Sequence, residues 1–345
     1  MTNKFAIIFG TRPEYLKLKC LIDEFKNRQI EHQVIYVSQH ENIDEIMDIS
    51  FKTLKIEKTT QDRLSNIGSE ILLKLPELIT DSTHILIQGD TATAFYCALT
   101  GFQLNKKIIH IEAGLRTYDL NKPFPEEAYR QMISRISSIN FTPHEDSRNL
   151  LLNEKVSGIV ENVGNTILDL VNLYNLECRM NNIVLITFHR RENWDKIDNL
   201  LIGLRKLVKI TPQIKYIWYL HHNPELQKKV RISINDISSI ELREPCNHLE
   251  FTKQISLCNF IITDSGGIQE EASFLGKHTI VLRASTERTH IPKDYITILE
   301  DYSLLDKIYE TIPKNHLSPC NVYGYGESSK KIITIINDPQ NNKHS

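Results

Sequence analysis

The sequence predicts an α/β protein with two Rossmann-like domains, each built on a doubly wound parallel sheet. The chain has 345 residues, about twice the length of a typical domain. Short apolar segments rich in β-branched residues alternate along it with segments of helical periodicity, a pattern typical of parallel sheets covered by helices. The apolar segments form two comparable sets of five, which indicates two domains rather than one.

Each set of apolar segments predicts the strands of one domain. The first set is Phe5–Phe9, Gln33–Val37, His84–Ile87, Lys107–Ile111 and Ile159–Val163. The second set is Ile183–Thr187, Lys215–Leu220, Ser239–Leu242, Asn259–Thr263 and Thr279–Leu282. Their lengths suit strands of α/β sheets.

A domain boundary is expected between residues 165 and 180, where a predicted helix, Ile167–Leu176, leads into the polar segment 179–182. We therefore expect an N-terminal domain over 1–170, a C-terminal domain over 171–325, and a C-terminal helix and tail over 326–345. That helix, Lys330–Ile336, is predicted to cap one of the two domains. The sequence leaves open which, and packing back on the N-terminal domain is one option.

The composition argues against several classes of protein. Lys and Arg number 41 and Asp and Glu number 43, a net charge of −2, so bulk charge favours neither nucleic acid nor an anionic membrane surface as a partner. No segment approaches the roughly 18 apolar residues of a membrane span. The six cysteines lack the spacing of a metal site and are expected to be free thiols, so no metal is expected and a reducing cytoplasm is the expected location.

Polar segments follow several predicted strands, and open parallel sheets bind ligands beyond the carboxyl ends of their strands. In the N-terminal domain these segments begin at Gly10, Gln88 and Glu112. In the C-terminal domain they include the segments that begin at His189 and Asp264. Two domains whose polar sheet edges face each other would form a cleft, and this is where we expect the ligand.

Paired glycines mark the segment from Asp264 to Glu271, which lies between a strand and an amphipathic helix. Ser265 and Gly266 there would let backbone N–H groups approach an anion such as a pyrophosphate. Alone, the segment fits an ordinary helix N-cap equally well. Arg288 follows the next strand, and an arginine at that edge would supply charge-assisted bonds to a diphosphate. Arg12 and Lys17, near the start of the first helix, are either solvated charges or further anion ligands.

Three acidic residues, Asp90, Glu112 and Glu126, lie at or near strand ends of the N-terminal domain. Each alone fits a helix cap or a surface ion pair, but together in one cleft they would raise one another's pKa and permit acid/base chemistry. His189 could donate to a sugar or phosphate or carry a proton. No G-x-G-x-x-G and no P-loop motif occurs, so a nicotinamide cofactor is not indicated. The residues alone predict a two-domain enzyme acting on a sugar nucleotide or similar diphosphate.

Eight motifs occur in order across nearly the whole chain, and together they closely resemble those of the non-hydrolysing UDP-N-acetylglucosamine 2-epimerases of bacterial surface-polysaccharide pathways. The motifs are Gly10-Thr11-Arg12-Pro13-Glu14, Gly89-Asp90-Thr91, 110–117, Pro125-Glu126-Glu127, 163–166, His189-Arg190-Arg191-Glu192-Asn193, Asp264 to Glu271 and Thr286-Glu287-Arg288.

The resemblance implies a glycosyltransferase-B-like fold, no dissociable organic cofactor, and usually a homodimer. It also implies interconversion of UDP-N-acetylglucosamine and UDP-N-acetylmannosamine, by elimination of UDP to a 2-acetamidoglucal and its re-addition with a proton on the opposite face.

Roles for individual residues follow from the same resemblance. The acid/base and electrostatic carboxylates would be Asp90, Glu112 and Glu126, assisted by His189. The diphosphate would be held by Arg12, Lys17, Ser265, Gly266 and Arg288, and the ribose hydroxyls by Glu271. Gln39 and His40 match a motif that contributes to a regulatory substrate-binding site in some members, although the glycine usual before them is Ser38 here.

Other enzymes remain as alternatives to this function. A hydrolysing 2-epimerase would release free N-acetylmannosamine and UDP, but its relatives usually carry an acidic residue where Pro13 stands. A related epimerase acting on a modified UDP-N-acetyl sugar is a further alternative. A retaining glycosyltransferase would need an acceptor groove, and a catalytically inactive sugar-nucleotide sensor would lose the three carboxylates.

Overall fold

A computed structural model describes residues 3–38, 49–57, 62–221 and 223–338. The chain divides into two compact units: unit 1 comprises Met1–Leu170 with Tyr323–Ser345, and unit 2 comprises Val171–Val322. Unit 2 is therefore inserted, in chain order, between two segments of unit 1. The chain passes from one unit to the other twice.

The described strands of unit 1 form one parallel sheet. They are β1 (Phe5–Phe9), β2 (His32–Ser38), β3 (Lys52–Lys55), β4 (His84–Gln88), β5 (Lys107–Ile111), β6 (Ile139–Thr142) and β7 (Ile159–Asn162). Their order is β3-β2-β1-β4-β5-β6-β7. β3 and β6 are additional to the five predicted strands.

In the part of unit 1 that the structure describes, a helix follows each strand except β2. The helices are α1 (Arg12–Asn27), α2 (Arg63–Leu78), α3 (Ala92–Gln103), α4 (Glu126–Ile136), α5 (Glu145–Asn153) and α6 (Ile167–Leu173). Thr11 and Thr91 cap α1 and α3 with their hydroxyl oxygens, and these helices start three and four residues after the ends of β1 and β4. α6 ends before its predicted end at Leu176, because Asn175 adopts a left-handed φ of 46° that a right-handed helix cannot contain.

The described strands of unit 2 form a second parallel sheet. They are β8 (Ile183–Thr187), β9 (Lys215–Tyr219), β10 (Ile240–Arg243), β11 (Phe260–Thr263), β12 (His278–Val281) and β13 (Ile296–Ile298). Their order is β10-β9-β8-β11-β12-β13. The helices are α7 (Ile197–Ile210), α8 (Pro224–Ser233), α9 (His248–Leu257), α10 (Gly266–Phe274) and α11 (Leu305–Thr311). The prediction did not include β13.

The last helix, α12 (Ser328–Ile336), belongs to unit 1. Ile332, Ile333 and Ile336 join the core that contains α1 and one face of β1. The carboxylate of Asp169 accepts the backbone N–H groups of Ser328 and Ser329, at 2.8 and 2.6 Å, and so caps the helix.

Each sheet has a hydrophobic core on both of its faces, because alternate residues of a strand point to opposite sides. In β1, Phe5, Ile7 and Phe9 pack with α1 and α12, whereas Ala6 and Ile8 pack with α2 and α3. The residues of β8 divide in the same way between a core with α7 and a core with α10. The fold class predicted from the sequence, two Rossmann-like domains, is thereby confirmed.

Candidate functional site

The strand order of each unit marks one place for a ligand. In unit 1, β1 and β4 are neighbours, and the helices that follow them pack on opposite faces of the sheet. β8 and β11 have the same relation in unit 2. Ligands bind beyond the carboxyl ends of strands at such switch points. The turns there carry Arg12 and Asp90 in unit 1, and His189 and Ser265 in unit 2.

Asp90 is held by an arginine that the sequence analysis did not single out. Arg130 Nε donates to Asp90 Oδ2 at 2.8 Å, and Arg130 Nη2 lies 2.6 Å from the same oxygen. Burial raises the pKa of Asp90, and although Arg130 and Lys17 lower it, the neighbouring Glu112 carboxylate raises it further. A carboxyl group with a raised pKa can exchange a proton closer to neutral pH.

Glu112 follows β5 and receives two hydrogen bonds on one oxygen, from Lys17 Nζ and Gln88 Nε2. Its side chain is only 8% exposed. The backbone φ of Glu112 is 65°, a left-handed value that costs free energy in a residue other than glycine and is concentrated at functional positions. Lys17 therefore lies against the carboxylate of Glu112, and it brings a positive charge to the pair of acids formed by Asp90 and Glu112.

Two predicted site residues have a buried polar atom without a hydrogen-bond partner among the described residues, a donor in one and an acceptor in the other. These atoms are Arg12 Nε and Glu126 Oε2. Arg12 is the first residue of α1, and Glu126 is the first residue of α4, one turn before Arg130. Because a buried polar atom without a partner is costly, polar groups of a ligand at either position would be favoured.

Glu14, also absent from the predicted site residues, joins the two turns of unit 1. Its Oε2 accepts from the backbone N–H of Gly10 at 3.0 Å and from the Thr11 hydroxyl at 2.8 Å. Its Oε1 accepts from the Thr91 hydroxyl at 2.6 Å. Burial raises the pKa of Glu14, while these hydrogen bonds lower it. The carboxylate thus links the turn that carries Arg12 to the turn that carries Asp90.

In unit 2, Gly266 and Arg288 lie against each other at the start of α10. A Cβ on Gly266 would come within 3.1 Å of Arg288 Cζ and Nη1, so a side chain at this position would displace the guanidinium by a few tenths of an ångström. Glu270 Oε1 accepts from Arg288 Nε at 2.8 Å, and Glu287 Oε2 lies 3.5 Å from Arg288 Nη1. Ser265 is the N-cap residue, and its side chain makes no cap hydrogen bond.

Glu287 anchors the loop that carries Arg288. It accepts two hydrogen bonds from Arg283, at 2.9 and 3.1 Å. Burial raises the pKa of Glu287, but Arg283 and Arg288 lower it more, to about 2. The start of α10 and this loop therefore combine backbone N–H groups with an oriented guanidinium, an arrangement suited to an anion.

His189 is exposed at the end of β8, and a buried acid fixes its backbone. Asp264 accepts from the N–H groups of His189 and Arg190, both at 2.9 Å, and from Asn193 Nδ2 at 3.2 Å. The rings of His189 and His221 are 5.9 Å apart. Asp264 therefore fixes the backbone of the loop through these hydrogen bonds, whereas His189 itself is exposed to solvent.

Glu271 contacts a histidine through one carboxylate oxygen, at 2.9 Å from His248 Nε2. Its neighbour Glu270 faces Arg288 instead.

Gln39 and His40, the predicted regulatory residues, lie outside the described part of the chain. No helix in the described part is long and apolar enough to cross a membrane, and none of the six cysteines, all of which are described, forms a disulfide.

The structure divides the predicted site residues that it describes between the two units. Unit 1 holds Asp90, Glu112, Lys17, Arg12 and Glu126 near the ends of β1, β4 and β5 and at the start of α4. Unit 2 holds His189 after β8, Ser265, Gly266 and Glu271 in the segment from β11 into α10, and Arg288 in the loop after β12. Arg130 was not among the predicted site residues, although it stands four residues after Glu126, the spacing of side chains on one helix face.

Comparison with known proteins identifies the family. A family model described as UDP-N-acetylglucosamine 2-epimerase matches residues 23–337. The UDP-N-acetylglucosamine 2-epimerase of Campylobacter jejuni is 34% identical over 386 residues, which cover 99% of this chain and 100% of that protein.

Two solved structures agree with this match. The UDP-GlcNAc 2-epimerase of Neisseria meningitidis bound to UDP-GlcNAc has a TM-score of 0.87 at 31% identity, covering 96% of this chain and 99% of its own. The MnaA–UDP co-structure from S. aureus has a TM-score of 0.85 at 29% identity, covering 99% of this chain and 97% of its own. The chain belongs to the UDP-N-acetylglucosamine 2-epimerase family.

Proposed function

We propose that this protein interconverts UDP-N-acetylglucosamine and UDP-N-acetylmannosamine by elimination and re-addition of UDP, without hydrolysis. The observation that carries the proposal is the pair of acids Asp90 and Glu112, which lie close enough to interact and are each held by a cation. Relatives of the family bear the name of this epimerase, and the Neisseria meningitidis structure contains UDP-GlcNAc.

The chemistry needs both acids and fixed positive charge. Carbon 2 is not adjacent to a carbonyl, so its proton is too weakly acidic for simple abstraction. In the proposed reaction the bond between carbon 1 and the UDP oxygen breaks, a carboxylate takes the carbon 2 proton, and a 2-acetamidoglucal forms. UDP then adds back at carbon 1 while a carboxyl group returns a proton to the opposite face of carbon 2. Carboxylates stabilise the oxocarbenium-like charge at carbon 1.

We assign Asp90, Glu112 and Glu126 to this proton transfer and charge stabilisation. The raised pKa of Asp90 supports an acid/base role, and the unpartnered Oε2 of Glu126 supports a contact with substrate. His189, exposed at the end of β8, assists at the diphosphate and sugar. The N-terminal domain, 1–170, supplies the carboxylates in this proposal.

The C-terminal domain, 171–325, binds UDP in this proposal, and residues 326–345 form the C-terminal helix and tail. Ser265, Gly266 and Arg288 hold the diphosphate, together with Arg12 and Lys17 from the first domain. Glu271 accepts the ribose hydroxyls. The oriented guanidinium of Arg288 beside Gly266 supports this assignment.

The motifs also support a setting for the enzyme. We propose that it works in the cytoplasm as a homodimer, in surface-polysaccharide biosynthesis. Gln39 and His40 remain a predicted regulatory site. Sedimentation velocity of the purified protein tests the dimer, which a monomer at micromolar concentration would contradict.

Proton exchange at carbon 2 tests the reaction. Elimination and re-addition must exchange that proton with solvent, whereas transfer or hydrolysis at carbon 1 alone does not. We expect proton NMR in deuterated water to show loss of the carbon 2 signal of UDP-N-acetylglucosamine and a mixture of two UDP-sugars. Accumulation of free N-acetylmannosamine with UDP would instead establish the hydrolysing reaction. UDP binding without exchange would indicate a transferase, a sensor or another sugar substrate.

A further inference from the structure

A chain of three hydrogen-bonded side chains in unit 2 ends on Glu271. The Tyr174 hydroxyl lies 2.9 Å from His248 Nδ1, and His248 Nε2 lies 2.9 Å from Glu271 Oε2. The side chains of His248 and Glu271 are only 11% and 10% exposed. Tyr174 follows α6, His248 is the first residue of α9, and Glu271 lies on α10. The two hydrogen bonds therefore join the segment after α6 to two helices.

The chemistry of the three groups fixes the direction of these hydrogen bonds. A carboxylate can only accept, so His248 Nε2 must carry the proton that it gives to Glu271. In a neutral imidazole Nδ1 is then an acceptor, and it receives the Tyr174 hydroxyl proton. Tyr174 therefore selects the tautomer of His248 that donates to Glu271.

The contact leaves the other oxygen of Glu271 as an acceptor. No described residue donates a hydrogen bond to Oε1, whereas Oε2 is used by His248. Glu271 lies five residues after Gly266, or about 7.5 Å along the helix axis at 1.5 Å per residue. A ligand whose diphosphate lies at the start of α10 could therefore place its sugar hydroxyls beside Glu271.

We infer that His248 is a positioning residue for ribose recognition, which holds one oxygen of Glu271 so that the other accepts a hydroxyl of a ribonucleoside diphosphate. The inference rests on the proposed function, because it takes UDP as the ligand of α10. His248 acts through Glu271 and has no role in proton transfer at carbon 2. A protein that lacks the His248 imidazole is therefore expected to discriminate less between ribose and deoxyribose. This defect is separate from any defect in diphosphate binding.

Titration calorimetry with UDP, 2′-deoxy-UDP and 3′-deoxy-UDP tests the inference. We expect the wild-type protein to prefer UDP over at least one deoxy analogue by roughly 10- to 100-fold, the range for a hydrogen bond to a charged group. His248→Asn is too short to reach Glu271 and should lose most of this preference. His248→Gln places an amide N–H near the position of Nε2 and should retain it.

The outcomes separate the inference from the proposed function. If His248→Asn binds UDP and keeps the full preference, the positioning role is wrong and the proposed function stands. If the wild-type protein fails to bind UDP, both are wrong. If circular dichroism shows that His248→Asn is unfolded, Tyr174→Phe decides. Tyr174→Phe should reduce the preference for UDP over the deoxy analogue. The control is Tyr295→Phe, which removes a hydroxyl bonded to Ser318 O elsewhere in unit 2 and should leave the preference unchanged. An unchanged preference in Tyr174→Phe would overturn the inference.

Discussion

Arg288 and Asp90 are each positioned by a charged residue of opposite sign, so a change at either alters a network. Glu270 and Glu287 orient Arg288, and Arg130 holds Asp90. Asp90 and Arg288 are therefore the residues at which the proposed ligand contacts can be tested most directly.

Arg288→Ala should weaken UDP binding by ~1.5 to 3 kcal/mol, the range for hydrogen bonds to charged groups. Calorimetry measures the change. Arg205→Ala is the matched control, because Arg205 forms an exposed ion pair with Asp236 in the same unit. Unchanged UDP affinity in a folded Arg288→Ala protein would remove Arg288 from the site.

The carboxylate variants Asp90→Asn, Glu112→Gln and Glu126→Gln keep side-chain shape and remove charge and basicity. Turnover should fall at least ~100-fold in at least two of them, as expected for general acid/base groups, while UDP binding largely survives. A steady-state assay of UDP-N-acetylmannosamine formation measures this, with Glu145→Gln, an exposed acid of α5, as control. Near wild-type turnover in all three would contradict the assigned mechanism.

Glu287 should make the stability of the protein depend on pH. Its pKa falls from 4.5 when unfolded to about 2 when folded, so its ionised form contributes stability above pH 4.5 that is lost as the pH falls towards 2. The contribution is about 3 kcal/mol, from ~1.4 kcal/mol per pKa unit. Urea unfolding of wild type and Glu287→Gln should therefore differ at pH 7, differ less as the pH falls below 4.5, and converge only as the pH approaches 2. A difference that does not change with pH would contradict this origin.

The residues that sequence reasoning found and missed differ in a physical way. Asp90 and Glu112 come within two residues of a strand end and Arg288 lies in the loop after β12, and the topology of parallel sheets alone places such segments at one edge. Arg130 and His248 act from helices that reach the edge only through tertiary packing. Glu14 lies inside the first turn of α1, where an acid is usual for the helix dipole, so nothing in its position signals the link to Thr91.

At the scale of elements, apolar sequence marked the central strands of each sheet most clearly, as in β1 and β8. β3 and β13 were not predicted from the sequence. Both lie at an edge of a sheet and are partly open to solvent, and the sequence of β3 is mostly polar. β6 was not predicted because Asn140 interrupts its apolar sequence, yet Asn140 is buried and donates to Ser134 O at 3.4 Å. The amide N–H group of this residue is therefore bonded inside the fold, whereas its buried Oδ1 has no partner among the described residues.

The substitutions Ile332→Ala and Ile333→Ala in α12 should each destabilise unit 1. Ile332 and Ile333 are fully buried against α1 and β1, and removing such side chains costs about 2–5 kcal/mol each through lost burial and a residual cavity. Thr334→Ala, an exposed change on the same helix, should stay within ~0.5 kcal/mol of wild type. Chemical denaturation measures all three, and equal effects would show that α12 contributes little to the core.

At the scale of the molecule, each unit has cores of its own. The clusters of unit 2 contain only residues of 171–322 among those described, whereas a core of unit 1 takes Ile332, Ile333 and Ile336 from the end of the chain. The two units are therefore expected to differ in whether a single continuous fragment can fold.

A fragment Val171–Val322 should fold alone, because its sheet and both of its cores are contained within it. A fragment 1–170 should not reach the same cooperativity, since it lacks α12, and adding residues 323–345 should restore it. Circular dichroism with urea titration and proton NMR dispersion report on both. A cooperatively folded 1–170 fragment would show that α12 is dispensable.

The insertion of unit 2 within unit 1 also determines the order in which a nascent chain can acquire its structure. Strands β1 to β7 leave the ribosome first, but their partner helix α12 is synthesised only after the whole of unit 2. Domains usually fold in the order of their synthesis. Here the second unit is expected to become protease-resistant first, and the earliest strands of the chain must remain incompletely covered until the last helix has emerged.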